Sequence, residues 1–449
     1  MTVVLLLSFA VLAFEVLLQC LRMELSYRYL AGTRRAVPVS RSGPPMALIV
    51  PVLHEQAIIA ASVARFSRLV RSRPWLTVVY ATSARERPTS GCPTTEDILL
   101  QLCSHEPQIE VVRFPSAGGI MSHQANYAVR VFARGQPQSV FGLFNVDSDP
   151  PSESIDAARA WLAVRPRTVF QMYCAYSVAA ESSRRTVSPI VEQTALWQCR
   201  WSLQFELGRI ICHDWIGRAA ARWPMLRIVV PFDYVIGHGL FFSRETFDLV
   251  DGFPEEELNE DAAVSLSLRA RGIRVAPLPF LESAEAAPTV GVYVKQQSSW
   301  FKGPLFAFRY GRKALHSTGG PRGGGEASAF DKLDVRLSTL KLFAHACYWA
   351  LGPPLLLVGF PCAMFLSHSW WAIGPWVLSV YLLTVGLNNR ASCLLARLGH
   401  VSQRRWGAAA VSAYVLHGVG PALAFIQSSR GANGFAEKYK TPRAGEILS

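Results

Sequence analysis

The stretch Phe141-Gly142-Leu143-Phe144-Asn145-Val146-Asp147-Ser148-Asp149-Pro150 carries an apolar run into two closely spaced carboxylates. The run suits a buried parallel strand, and Pro150 prevents its continuation as a helix. Asp147 and Asp149 therefore belong at the carboxyl end of a strand, where open α/β sheets bind ligands. At i and i+2 across a turn they can converge on one hard cation and the diphosphate it carries. An Asx turn explains the same two residues without any ligand, so the wider pattern has to decide. Asn259-Glu260-Asp261 precedes a helical pattern from Ala262 to Arg271. Asn259 is placed to cap that helix, with the two carboxylates at its positive end, although an acidic first turn also simply complements the dipole. Gly237-His238-Gly239 opens an apolar strand and Gly252-Phe253-Pro254 makes a tight turn, both letting a ligand approach the backbone closely. Taken alone, His238 reads as a satisfied structural histidine. Gln296-Gln297-Ser298-Ser299-Trp300 sets two amides, which bond hydroxyls and phosphates, beside an indole that can stack on a sugar ring. The same residues also suit a surface helix.

Elements able to position these groups follow from periodicity. Ala47 to Leu53 reads as a strand ending at Pro51, His54 and Glu55, Ile58 to Val70 as a helix, and Leu76 to Ala81 and Ile109 to Phe114 as strands. A helix from Ser122 to Arg134 then leads to the strand that delivers Asp147. Short β-branched strands alternating with amphipathic helices give an α/β, doubly wound sheet with a nucleotide crevice at the strand ends.

The rest of the chain is apolar enough to involve a membrane: 50% of 449 residues are hydrophobic. The net charge of +13, from 45 Lys and Arg against 32 Asp and Glu, suits an anionic membrane surface or an anionic substrate such as a nucleotide. Nucleic acid is not the expected partner, since the chain has neither zinc-finger spacing nor an RNA-binding aromatic signature. Nine cysteines without a Cys-x-x-Cys pair read as reduced, buried hydrophobes. Val3 to Cys20 is apolar except for Glu15 and is followed by Arg22, Arg28, Arg34 and Arg35. This predicts an uncleaved anchor with its arginine side in the cytosol and Glu15 turned toward other helices or a polar interior. Trp197, Trp201, Phe205 and Trp215 interleave with Arg200, Arg209, Arg218 and Arg222, as in an interfacial helix or in one packing its aromatic stripe on the domain. Three more apolar stretches follow: Leu342 to Leu366, Trp370 to Leu387 and Trp406 to Ile426. Arg390, Arg397, Arg404 and Arg405 mark a cytosolic loop between the last two. If all three cross, the tail lies outside; if the third, with Gly418, Gly420 and Pro421, is broken or re-entrant, it returns to the cytosol. The expected organisation is an anchor over 1–22, a cytosolic domain with interfacial helices over 40–316, a Gly-rich loop over 317–335, a membrane region over 336–427 and a tail over 428–449.

In this order the motifs resemble those of the membrane-embedded family 2 glycosyltransferases, the group of cellulose, chitin and hyaluronan synthases. Val50-Pro51-Val52-Leu53-His54-Glu55 matches the family's Pro-x-x-x-Glu, Asp147 and Asp149 its Asp-x-Asp, and Glu260-Asp261 its acidic pair. Gln296, Gln297 and Trp300 match its Gln-Gln-x-x-Trp, and Lys440-Thr441-Pro442-Arg443 its Lys-Thr-x-Arg tail. The resemblance implies a GT-A-type nucleotide-sugar domain joined to transmembrane helices in a multi-pass cell-membrane protein. Asp147 and Asp149 would hold Mg²⁺ or Mn²⁺ on the donor diphosphate, with Pro51 and Glu55 near the nucleotide. Asp261, beside Glu260, would be the general base of an inverting transfer. Gln296, Gln297 and Trp300 would line the acceptor end, with Lys440, Thr441 and Arg443 near its cytosolic mouth. The Gly-rich segment from Ser317 to Ser328 would be a mobile lid.

Three positions depart from that pattern. Met121 stands where the family has a Lys ahead of Asn126, Thr82 and Ser83 where it has a uridine-binding Asp, and Ser299 where it has the Arg of Gln-x-x-Arg-Trp. The last change deletes a bidentate phosphate donor. The expectation is a metal-dependent, inverting, processive hexosyltransferase that uses a nucleotide sugar, UDP-linked in the first instance, to make and export a β-linked polysaccharide. Its partners would be the donor, the growing glycan or a lipid-linked acceptor, and membrane lipid. The alternatives are transfer of one sugar to a lipid carrier and an inactive scaffold of a glycan-export complex, the latter having no need of Asp147, Asp149 and Asp261 together.

Overall fold

The computed structural model describes residues 2–33, 43–88, 92–136, 138–178, 188–257, 259–317, 329–400 and 407–429. In chain order the sheet-bearing domain comprises β1 (Met46–Pro51), α2 (Ile59–Val70), β2 (Leu76–Ser83), α3 (Thr95–Cys103), β3 (Ile109–Phe114), α4 (Met121–Phe132), β4 (Val140–Leu143), α5 (Ser152–Val164) and β5 (Thr168–Ser177). After these come α6 (Pro189–Trp201) and α7 (Gly208–Arg222), joined by a π-helical turn over Ser202–Leu207. Next are β6 (Leu240–Ser243), α8 (Arg244–Val250), α9 (Glu260–Ala270), β7 (Arg274–Glu285), α10 (Val290–Leu305) and α11 (Ala307–Ser317). The preceding helix α1 (Thr2–Thr33) and the following α12 (Ala329–Pro354), α13 (Phe360–Leu366), α14 (Ile373–Tyr381), α15 (Leu387–Arg397) and α16 (Gly407–Ser429) complete the chain.

The strands form one seven-stranded sheet in the order β3-β2-β1-β4-β6-β5-β7. The α/β fold expected from the sequence is present, with β1 parallel to β2 and β4, and β2 parallel to β3. It is mixed rather than all parallel, because β6 runs antiparallel to β4 and β5. Strand β1 is continuously apolar because both of its faces are covered. Ala47 and Ile49 join one core with α4 and α6, while Met46, Leu48 and Val50 join the other with α2 and α5. Strand β7 had no clear signal in the sequence because Pro277 and Pro279 interrupt its run. It occupies the sheet edge, where a missing amide leaves no rung unmade on the open side.

Among the described residues, four segments are long and apolar enough to cross a membrane: Thr2–Gly32, Lys332–Leu366, Trp370–Arg397 and Gly407–Ser429. Helix α1 does not stop near Arg22. It continues to Thr33, and Met23 and Leu30 enter the domain core while Ser26 Oγ donates to Leu203 O (2.6 Å). Glu15 faces a polar interior, as expected: it accepts from Gln19, which in turn accepts from the buried Arg200. The aromatic stripe of α6 is an inward-facing one, with Trp197 and Phe205 buried, whereas Trp215, Trp223, Met225 and Ile228 are exposed further on.

The last apolar stretch differs from the other three. Glycines and Pro421 do not break it: α16 runs unbroken for 23 residues, about 34 Å at 1.5 Å per residue. Leu416 packs with Val292 and Tyr293, Gly420 abuts Gln297, and Ala424 packs with Phe301, so α16 lies parallel to α10 over more than two turns. Its apolar window is 44% buried by protein, against 11% and 22% for the others. Gly420 makes this possible, since a Cβ there would sit 2.5 Å from the Cβ of Gln297. Overpacking of this kind costs about 1–3 kcal/mol. Gly420→Leu is therefore expected to lower the thermal midpoint of the purified protein, while Gly374→Ala, where a Cβ meets nothing within 4 Å, leaves it equal or higher; equal midpoints for both variants would show that α16 does not seat on α10.

Candidate active site

Strand β4 ends at Leu143, and Phe144 makes one more rung by donating its amide to Ile49 O (3.0 Å). Asn145 to Ser148 then form a turn closed by two bonds: Ser148 N–H to Asn145 O (3.1 Å) and Asn145 N–H to Ser148 Oγ (3.2 Å). Ser148 is thereby buried, leaving Asp147 half-buried and Asp149 exposed on either side of it. The Asp149 carbonyl accepts from Ser283 N–H (3.4 Å) and pins the loop to β7. Two carboxylates on one short turn are a hard-oxygen donor set that fits Mg²⁺ or Mn²⁺.

Glu260 and Asp261 begin α9, and Glu260 is buried. Asp261 Oδ1 accepts from Ala262 N–H (2.8 Å), which fixes the carboxylate at the positive end of the helix. Asn259 does not cap: its side chain donates to Ser299 O (3.2 Å) and ties α9 to α10. The preceding turn is built around Asn126, whose amide donates to Phe253 O and Glu255 Oε1 and accepts from Phe253 N–H, each at 2.8 Å. Gly252 is obligatory there. Its φ is +77°, and a Cβ would meet Asn126 Oδ1 at 2.7 Å.

The loop Gly237–Gly239 joins the two acidic groups. A Cβ on Gly237 would lie 3.4 Å from Glu260 Oε1 and 3.9 Å from Met121 Cε. Gln171 on β5 holds the loop by donating to His238 O (2.8 Å) and accepting from Ile236 N–H (2.9 Å). His238 Nδ1 pairs closely with Glu282 Oε1, one residue before the Ser283 that binds Asp149. Cys174 Sγ donates to the same Glu282 oxygen (3.1 Å). Burial, reinforced by Glu282, pushes the Cys174 thiol well up, so it stays protonated. Burial would by itself lower the His238 pKa, but Glu282 and Asp147 outweigh it and raise it. Glu206, on the π-turn, is pushed up to about 6 by burial, although Ser202, His238 and Arg209 pull the other way.

At the β1 end, Glu55 is buried and its N–H donates to Thr95 Oγ1 (2.9 Å). Glu86 fixes this corner: it accepts from His54 N–H, Gln56 Nε2, and both Thr95 N–H and Oγ1, at 2.7–3.0 Å. Thr82 donates to Glu96 (3.0 Å), so the side chain standing where a uridine-binding Asp was expected is engaged with α3. Gln296 and Gln297 are buried, and Trp300 is 37% exposed. Gln296 Oε1 accepts from Gln198 on α6 (2.8 Å), and Gln297 Oε1 lies 3.2 Å from His417 Nδ1 on α16. Gln296 thus ties α10 to α6 and Gln297 ties α10 to the apolar α16, while Trp300 is the member turned toward solvent. Lys440, Thr441 and Arg443, and all of the proposed lid over Ser317 to Ser328 except Ser317, lie outside the described residues.

Cys174, Glu206 and Glu282 were not singled out in the sequence. Glu206 and Glu282 each carried a weak signal, a carboxylate inside a run of apolar residues; Cys174 looked like any buried cysteine.

No protein-family model matches this chain, and no curated protein matches it. Among solved structures it aligns with the mannosyltransferase PcManGT from Pyrobaculum calidifontis in complex with GDP-Man and Mn²⁺, at 15% identity over 95% of each chain with a TM-score of 0.39. It also aligns with S. aureus TarS 1-349 in complex with UDP-GlcNAc, at 11% identity over 86% of this chain and 92% of that one, with a TM-score of 0.40. Similarities at that level carry no argument, and the functional reading rests on the residues above.

Glu206 gives the site a pH signature. Its carboxyl favours the protonated form when folded, so its contribution to stability is complete below its ordinary value of 4.5 and is lost as pH rises through about 6. Glu206→Gln is expected to raise the thermal midpoint at pH 7.5 and to leave it nearly unchanged at pH 4.5. An effect of equal size at both pH values would remove the burial argument.

Proposed function

We propose that this chain is a membrane-bound inverting glycosyltransferase that uses a nucleotide sugar. The observation that carries the reading is that one short loop, Gly237–Gly239, touches Glu260 on one side and reaches the Asp147–Asp149 turn through Glu282 and Ser283 on the other. This supports reading the Asp147–Asp149 turn, suited to a cation and diphosphate, and the helix-anchored Asp261 beside Glu260, suited to proton transfer, as parts of one site.

In this reading Asp147 and Asp149 hold Mg²⁺ or Mn²⁺, which would supply charge neutralisation for the departing diphosphate. Glu55 and the Glu86-braced corner border the nucleotide. Asp261 takes the proton from the acceptor hydroxyl as its oxygen attacks the anomeric carbon; attack opposite the leaving diphosphate inverts the configuration, giving a β-linked product from an α-donor. The Ala262 amide on Asp261 Oδ1 orients the base. Trp300 offers an indole to the acceptor, and Lys440, Thr441 and Arg443 are assigned to its entrance by motif alone. The four apolar segments support a cell-membrane location, the arginines after the first of them support a cytosolic domain, and the exposed Trp215, Trp223, Met225 and Ile228 suit a lipid interface. Seating of α16 on cytosolic α10 supports a third carboxyl-terminal stretch that does not fully cross, which returns the tail to the cytosol.

A β-linked polymer passed through the apolar helices remains the first product reading, supported by the Gln296-Gln297-Trp300 motif. The alternative is transfer of a single sugar to a lipid carrier.

Asp261→Asn keeps the shape and removes the proton acceptor. With a panel of nucleotide sugars and Mn²⁺, transfer is expected to fall by about two orders of magnitude or more while donor affinity changes little. Loss of donor binding instead would make Asp261 part of the donor site and overturn its role. Sizing of radiolabelled wild-type product distinguishes polymer from single-sugar glycolipid.

A further inference from the structure

The cluster of Cys174, His238 and Glu282 is more than a support for the acidic loop. We infer that these three side chains form a binding site for one borderline-soft divalent cation, Zn²⁺ above all, separate from the Asp147–Asp149 turn and independent of the transferase reading.

Three donors of the right kinds meet from three elements: a thiol on β5, an imidazole on the loop before β6, and a carboxylate on β7. One donor atom from each lies within 4.8 Å of the other two. Zn²⁺ bonds of about 2.3 Å to sulfur and 2.0–2.1 Å to nitrogen or oxygen give tetrahedral edges of about 3.5 Å and 3.3 Å. Cys174 Sγ is 3.5 Å from His238 Nδ1 and 3.1 Å from Glu282 Oε1, close to those edges. The remaining His238–Glu282 pair is tighter and opens by a small side-chain rotation when a cation enters. Glu282 is fully buried, and its Oε2 has no hydrogen-bond partner among the described residues, an expense a native core seldom leaves unrelieved. A cation held by both oxygens of this carboxylate would supply the missing partner.

Charge and proton balance are satisfied. Cys174 S–H releases its proton to solvent as the Zn–S bond forms, His238 gives up its bond to Glu282 and binds as the neutral imidazole with its one proton on Nε2, and thiolate plus carboxylate neutralise the 2+ charge, so the buried place holds no net charge. Thiolate and imidazole select Zn²⁺ over Mg²⁺ or Mn²⁺, which the all-oxygen Asp147–Asp149 turn prefers. His238, whose side chain is 15% exposed against 0% for Glu282, marks the entry side and the position for a water as fourth ligand. A nucleophilic Cys–His–Glu relay does not fit, because the sulfur lies nearly equidistant from both ring nitrogens, at 3.5 and 3.7 Å, and bonds the same carboxylate oxygen as the histidine.

The test uses the full-length protein in detergent, stripped with a chelator and titrated with Zn²⁺ alone. One tightly held Zn²⁺ per chain is expected in the wild type and in Asp149→Ala, and none in Cys174→Ser or His238→Ala. Co²⁺ loaded into the wild type should show the intense near-ultraviolet thiolate-to-cobalt band and the visible bands of a tetrahedral ion, a readout that does not depend on any variant folding. No stoichiometric Zn²⁺ binding, or Co²⁺ bound without the thiolate band, overturns the proposal. So does Zn²⁺ retained in Cys174→Ser or lost in Asp149→Ala, which would place the ion elsewhere.

Discussion

The guanidinium of Arg200 is buried between the domain and the apolar helices, and everything on both sides is arranged to keep it there. A buried charge costs several kcal/mol unless its donors are all used. Arg200 spends them on Gln204 (3.1 Å), on Gln19 of α1 (2.7 Å), and on the Leu383 carbonyl (2.6 Å) and Asn388 (3.3 Å) around α15, while its plane lies 4.2 Å from the Trp197 ring centre. Helix α6 is thereby fastened to α1 and α15. On its other face α6 reaches the sheet, where Cys199 Sγ donates to Tyr176 O and accepts from Tyr176 N–H. The β5 strand so held carries Gln171 and Cys174, and through them the loop of His238. Placement of the site thus depends on a polar contact made among apolar helices.

The acidic groups of the site share a second constraint, close backbone approach at glycine. Gly239 has φ +63° with Met172 O 2.9 Å from where a Cβ would stand, and Gly237 leaves room for Glu260. These residues let a loop pass between two carboxylate clusters without a side chain separating them. His238, set between the two glycines, is a basic group close to the acidic Asp147, Glu206 and Glu282, and its pairing with Glu282 offsets part of their repulsion.

Much of this was legible in the sequence because it depends on local pattern. The apolar run ending in Asp147, the Gly252 turn and the acidic start of α9 each announce themselves within ten residues. What was not legible depends on contacts distant in sequence. The capping expected of Asn259 yields to a bond with Ser299, forty residues away. The carboxyl-terminal half of α1 belongs to the domain because Met23 and Leu30 fit its core. The glycines of α16, which read equally as a break, instead admit Gln297. Glu282 carried only the weak signal of a carboxylate in an apolar, proline-interrupted run, and only the fold brings Cys174 and His238 to it.

The central claim is that a cation held by Asp147 and Asp149 makes this crevice a diphosphate site. The most direct measurement is calorimetric titration of the purified full-length protein with UDP and with GDP, in Mn²⁺ and in chelator, for wild type and Asp149→Ala. The account predicts saturable binding of at least one nucleotide by the wild type in Mn²⁺, lost in chelator and lost in Asp149→Ala. Binding of equal affinity in all of these conditions, or no binding of either nucleotide by the wild type, would contradict it.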